Sequence, residues 1–112
     1  MRSATRAALL AASAVTALLS AAAPASAVPT VSMDCETGGG YYGCAPQISG
    51  AVPPMTITWT RNGVPVSQWN NRWAVSERCT PGQVLTLTAK VADGSGSASA
   101  TDVFTCSNGP WP

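Results

Sequence analysis

Cys35, Cys44, Cys79 and Cys106 carry the most reactive side chains of this sequence, and their spacing limits what they can do. A zinc site would want closely spaced pairs such as C-x-x-C, often joined by histidine. Here the intervals are 9, 35 and 27 residues and the chain has no histidine. An even number of cysteines in a small exported chain reads instead as two disulfides. The missing histidine also rules out assembling a Ser-His-Asp or Cys-His arrangement. A carboxylate pair for glycoside hydrolysis would need two acids facing each other across one cleft. Asp34 and Glu36 alternate onto one face of a strand while Glu77 and Asp102 are distant in sequence, the pattern of solvated carboxylates. The expectation is a protein that is not an enzyme and holds neither cofactor nor metal.

Binding chemistry is the alternative, and the aromatic residues are its candidates. Trp69 and Trp73 flank Asn70, Asn71 and Arg72, a spacing that could build an exposed indole platform with a guanidinium beside it. Indole faces stack on sugars and anchor protein contacts, and arginine accompanies them at binding hot spots. Tyr41 and Tyr42, next to Gly38, Gly39 and Gly40, offer a second patch. The expected contact residues are thus Tyr41, Tyr42, Trp69, Arg72 and Trp73. Trp111, between Pro110 and Pro112, is either tucked against the end of the fold or part of a free tail.

The elements that would position these groups follow from period-two alternation. Met55, Ile57 and Trp59 alternate with Thr56, Thr58 and Thr60, a strand with one dry face and one wet face. Asn62-Gly63 then fits a type I′ turn, which needs positive φ at both central residues. The return strand would place Val66 opposite Trp59 and, if pairing continues, Trp69 opposite Thr56 on the outer side. Pro65 marks that strand as an edge. Leu85, Leu87, Ala89 and Val91 give a second dry face, and pairing across Gly94-Ser95 sets Leu85 against Phe104, Ala89 against Ala100 and Leu87 against Asp102. That last match predicts either a bulge near Thr101 or a backbone hydrogen bond for the carboxylate. Upstream, strands over residues 31–36 and 41–48 reversing at Gly39-Gly40 would put Cys35 directly opposite Cys44. The favoured bridges are therefore Cys35–Cys44 and Cys79–Cys106. Cys44–Cys106 with Cys35–Cys79 stays open, because Cys44, Trp59 and Cys106 follow the Cys…Trp…Cys order of immunoglobulin domains.

The first 27 residues have the form of a signal peptide. Arg2 and Arg6 precede an apolar run over residues 7–19, and Ala25-Ser26-Ala27 is a small-residue cleavage site. The run is shorter than the roughly 20 residues a spanning helix needs, so no membrane anchor is expected after cleavage. Residues 28–112 would remain as one domain, and losing two arginines takes the formal charge from +1 to −1. With no clustered cations, nucleic acid is excluded as a partner.

Residues 57–63 and 84–96 resemble the middle and final hairpins of bacterial immunoglobulin-like and PKD-type β-sandwich modules, the second stretch in its threonine-alternating strand ending at Asp93-Gly94. Arg61-Asn62-Gly63 departs from the acidic turn usual in PKD modules. The resemblance implies an immunoglobulin-like antiparallel sandwich serving as a spacer, adhesion or binding element. Together with the bridges and the leader read above, the expectation is an all-β domain of about seven strands with two disulfides, secreted and monomeric. Its partner would be an extracellular protein or carbohydrate. The second functional expectation is a secreted inhibitor of an amylase or protease. Two sequential bridges on a β-sandwich resemble the microbial α-amylase inhibitors, whose exposed Trp-Arg-Tyr segment blocks the enzyme; this chain departs from that segment, carrying Asn71-Arg72-Trp73 in a different order and as an incomplete match.

Overall fold

The computed structural model describes residues 28–112, and the expected signal peptide lies outside the described residues. Seven strands follow one another among the described residues: β1 (Thr30–Gly38), β2 (Tyr41–Ser49), β3 (Thr56–Arg61), β4 (Val64–Pro65), β5 (Val75–Arg78), β6 (Val84–Asp93) and β7 (Gly96–Thr105), with a 3-10 turn (Ser67–Trp69) after β4. They form two antiparallel sheets, β1-β2-β5 and β4-β3-β6-β7, stacked as an immunoglobulin-like sandwich. No helix of the described residues is long and apolar enough to cross a membrane.

Local turn chemistry sets the registers. Gly39 and Gly40 take φ of 58° and 77°, and Asn62 and Gly63 take 52° and 81°, so both tight reversals use residues that tolerate the left-handed region. The first reversal pairs Cys35 with Cys44 across β1 and β2, their Cα atoms 4.1 Å apart, and the disulfide forms there. The second bridge, Cys79–Cys106, ties the segment entering β6 to the end of β7. Both sequential bridges are therefore as the strand registers predict, and the immunoglobulin-type pairing is not formed. Pro46 lies within β2, the middle strand of its sheet. It is tolerated because β5 pairs only with Tyr41 to Cys44, which leaves the flank of Pro46 without a neighbour.

The core sits between the sheets. Tyr42 and Cys44 of β2 and Val75 of β5 face Ile57, Trp59, Leu85, Leu87, Ala89 and Val91, all buried. The β6–β7 register runs unbroken from Val84 opposite Thr105 to Asp93 opposite Gly96, so the bulge expected near Thr101 is absent. Asp102 stays opposite Leu87 because β7 is an edge strand, where the carboxylate is only half-buried and keeps contact with solvent.

On the opposite flank the two sheets are joined by polar groups. Arg61 of β3 reaches Glu77 of β5 with Nη1 at 2.6 Å from Oε1 and 2.5 Å from Oε2, and the Tyr42 hydroxyl donates to the same carboxylate at 2.7 Å. Burial, followed by the Glu77 carboxylate, pushes the Tyr42 hydroxyl well above its ordinary pKa, so it remains a donor throughout the neutral range.

The Cys79–Cys106 bridge closes a longer loop than Cys35–Cys44, 27 against 9 residues of separation. On the loop-entropy model its removal costs about 3–4 kcal/mol and that of the shorter bridge about 2.5–3 kcal/mol. Urea unfolding of the Cys79→Ser/Cys106→Ser and Cys35→Ser/Cys44→Ser variants should rank them in that order. Equal or reversed losses would show that the bridges act through native contacts instead.

Candidate binding surface

Trp59 fixes the segment that carries the aromatic candidates. Its indole is 1% exposed, so its N–H needs an internal acceptor, and the carbonyl of Arg72 supplies one at 3.0 Å. Next to it, Asn71 is clamped to the backbone of Ile57. Its N–H donates to the Ile57 carbonyl at 2.7 Å, and its Oδ1 accepts the Ile57 N–H at 3.0 Å. Asn71 adopts φ of 64°, which asparagine tolerates better than most residues. Three hydrogen bonds thus hold residues 71–72 against β3. They leave Trp73 57% exposed at the rim, with Arg72 exposed beside it.

Trp69 is not on this surface. Pairing does not continue past Val66, whose N–H donates to Trp59 O at 3.0 Å, and the 3-10 turn then rotates the chain inward. Trp69 is 6% exposed, packs edge to face on Trp59 at 6.2 Å between ring centroids, and lies under the Arg61 guanidinium at 5.5 Å. The expectation that it lies outside the core is corrected. Tyr42 is corrected likewise: it is fully buried, sharing the inward face of β2 with Cys44. Tyr41 is exposed, with Arg78 over its ring at 4.8 Å and Arg78 Nη2 donating to its hydroxyl at 2.7 Å. Tyr41 pairs with Arg78 at one end of β5 while Trp73 precedes the other end, roughly 16 Å away along the strand direction. Of the five expected contact residues, the fold therefore brings together Arg72 and Trp73.

Trp73 forms one wall of an open groove of about 490 Å³ at the end of the sandwich, lined also by Ile48, Ala51, Pro53, Met55 and Asn71. The loop at residues 50–55 has its own anchor. The Val52 N–H donates to Asp93 Oδ2 at 2.9 Å, while Asp93 Oδ1 accepts from the Ser95 N–H and hydroxyl at 2.8 and 2.6 Å. These bonds, the Ser95 hydroxyl first, hold the Asp93 carboxyl down at about 2. The roles of Asn71 and Asp93 are not apparent from composition; the signals for them are an Asn-Asn pair able to enter the left-handed region and an Asp-Gly-Ser turn. Among the described residues no group of three or more His, Cys, Asp or Glu is placed to hold a metal ion. Protein-family models, curated proteins and solved structures yield no match to this chain.

Two outcomes follow. Trp69→Ala should cost about 3–5 kcal/mol in chemical unfolding, as buried aromatic truncations do. Trp73→Ala should stay within about 0.5 kcal/mol of wild type, as an exposed position does. A costly Trp73→Ala or a neutral Trp69→Ala would contradict the assignment of faces. The second outcome concerns pH. The folded pKa of Asp93 is depressed, so its hold on the loop is complete above the ordinary carboxylate range and is lost as pH falls through about 2. The NMR titration of its carboxyl, followed at the Val52 amide, should have its midpoint near 2. A midpoint near 4, the unperturbed carboxylate range, would mean the loop is not anchored there.

Proposed function

We propose that this protein is a secreted, non-catalytic binding module that takes an apolar side chain of an extracellular protein partner into the groove beside Trp73, with Arg72 on the rim. The reading rests on one observation. Residues 71–72 are pinned to the core by the Trp59 indole and the Ile57 backbone, so the backbone that leads into the exposed indole is fixed before any partner arrives. Preorganisation of this kind lowers the ordering cost of association. The lining favours protein over carbohydrate. Its one polar side chain is Asn71, whose Oδ1 already accepts from Ile57, whereas a sugar needs several donors and acceptors around its ring. Export is supported by the leader-like first 27 residues and by two disulfides suited to an oxidising compartment.

Inhibition of a secreted hydrolase is the second reading, favoured by Arg72 and Trp73 projecting side by side from a held loop. Both readings make Trp73 the anchor. Surface-immobilised wild-type protein should retain a partner from the extracellular fraction of the producing culture, and the Arg72→Ala/Trp73→Ala variant should retain at least about tenfold less, the loss of one hot spot. Retention unchanged by the double substitution would remove the groove from the account. A panel of amylases and proteases assayed with micromolar protein separates the two readings, since inhibition of any of them would favour the second.

A further inference from the structure

The residues following β7 form a second surface. The Gly39 N–H donates to Gly109 O at 2.8 Å, the Gly40 N–H to Ser107 O at 3.0 Å, and the Ser107 N–H to Thr37 Oγ1 at 2.9 Å. These bonds fold residues 107–111 back over the outer face of the three-stranded sheet. The close approach requires a glycine, because a Cβ at Gly38 would lie 2.7 Å from Trp111 Cα. The Trp111 ring reaches over Gly43, its Cη2 3.9 Å from where a Cβ would stand, and the residue remains 50% exposed.

The strand registers set what lies beneath that indole. Two rows cross the outer face: Glu36 opposite Gly43 opposite Ser76, and Asp34 opposite Ala45. Small side chains floor the trough, two carboxylates form its bank and Trp111 overhangs it, enclosing about 420 Å³. Among the described residues the ion pair is Arg61–Glu77, so neither Asp34 nor Glu36 has a cationic partner, and Asp34 Oδ2 accepts only the Gln47 amide, at 3.0 Å. Ionised carboxylates accept hydrogen bonds and donate none, and an indole face attracts positive charge. The complementary group is one that only donates and is cationic. A guanidinium meets both conditions, stacking flat on the ring while its fork engages a carboxylate. Asp34 and Glu36 project from alternate positions about 7 Å apart, wide enough to flank such a group.

We infer that the trough between Trp111 and the Asp34–Glu36 bank is a binding site for an arginine side chain of a partner protein. The site is separate from the Trp73 groove, shares no lining residue with it, and stands whether or not that groove binds anything. A neutral sugar could donate to these carboxylates but would leave their charge uncompensated, which a guanidinium does not.

The experiment is an NMR titration of the folded protein with N-acetyl-arginine amide, reading the Trp111 indole N–H and the Gly43 amide. N-acetyl-citrulline amide serves as the uncharged isostere and methyl glucoside as the sugar. The arginine probe should shift both signals with saturable, millimolar affinity. Citrulline should bind at least about fivefold more weakly through loss of the charge-assisted bonds. Trp111→Ala should weaken arginine binding about threefold, as loss of one exposed cation–π contact does. Asp34→Asn/Glu36→Gln, at exposed positions, should abolish the difference between arginine and citrulline while leaving the spectrum folded. Equal binding of citrulline, saturation by methyl glucoside alone, or arginine shifts confined to the Trp73 groove would each overturn the assignment.

Discussion

Burying one indole constrains most of this molecule. Trp59 sits mid-strand in β3, paired with Ala89 of β6, and its ring fills the space between the sheets. An unpaired indole N–H in that setting would cost on the order of 1–3 kcal/mol, so the chain must bring an acceptor to it. It does so with the Arg72 carbonyl, which lies beyond the short edge strand and can arrive there only if residues 66–72 cross the end of the core. That path buries Trp69 against Trp59, seats Asn71 on Ile57 and turns Trp73 outward. One hydrogen-bond requirement thus places the most exposed aromatic surface of the protein.

The two ends of the sandwich are built differently. At one end the Cys79–Cys106 bridge, the Gly39-Gly40 turn and the residues after β7 interlock, with the Cys79 N–H donating to Gly40 O and the Cys106 N–H to Gln83 O, both at 2.8 Å. At the other end the loop over residues 50–55 carries two prolines and is held by one carboxylate, Asp93. The stapled end restrains the frame while the open end leaves room for the groove lined by Trp73. Rigid scaffolds with function carried on connecting segments are the usual division of labour in β-sandwiches. The Arg61–Glu77–Tyr42 cluster closes the flank between these ends. Because Arg61 and Glu77 are each about one-third exposed, 34% and 38%, solvent screens the pair. Its contribution lies more in satisfying the buried Tyr42 hydroxyl than in net ion-pair energy.

Much of this architecture is legible in the sequence wherever period-two alternation meets a two-residue turn. Asn62-Gly63 and Gly39-Gly40, both at positive φ, and Gly94-Ser95 each fix a register, and register alone brings Cys35 opposite Cys44 and Leu87 opposite Asp102. The same parity contains information that a patch of adjacent tyrosines overlooks: if Cys44 points inward, Tyr42 must as well, and of the pair Tyr41-Tyr42 only Tyr41 can face solvent. Trp69 is harder, because extending the hairpin beyond Val66 assumes the strand continues, whereas a 3-10 turn breaks the alternation. The position of Trp111 depends on a glycine at residue 38 leaving room for a chain segment about 70 positions later, a contact between distant residues that no local pattern encodes.

The exposed tryptophans have different surroundings, and that difference bears on what each could recognise. Trp73 stands among aliphatic and prolyl side chains beside a pinned backbone, a setting in which selectivity would come from shape. Trp111 stands over small residues beside carboxylates, a setting in which selectivity would come from charge. Apolar burial supplies affinity with little discrimination, whereas a charged group placed against an unsuitable partner is penalised. The groove and the trough lie on different surfaces, one at the end of the sandwich and one on the outer face of the three-stranded sheet. Trp73 lines the one and Ala74 the other, so a partner that met both would cross the short stretch between them, and its affinity would depend on the reach between the two contacts as much as on either contact alone.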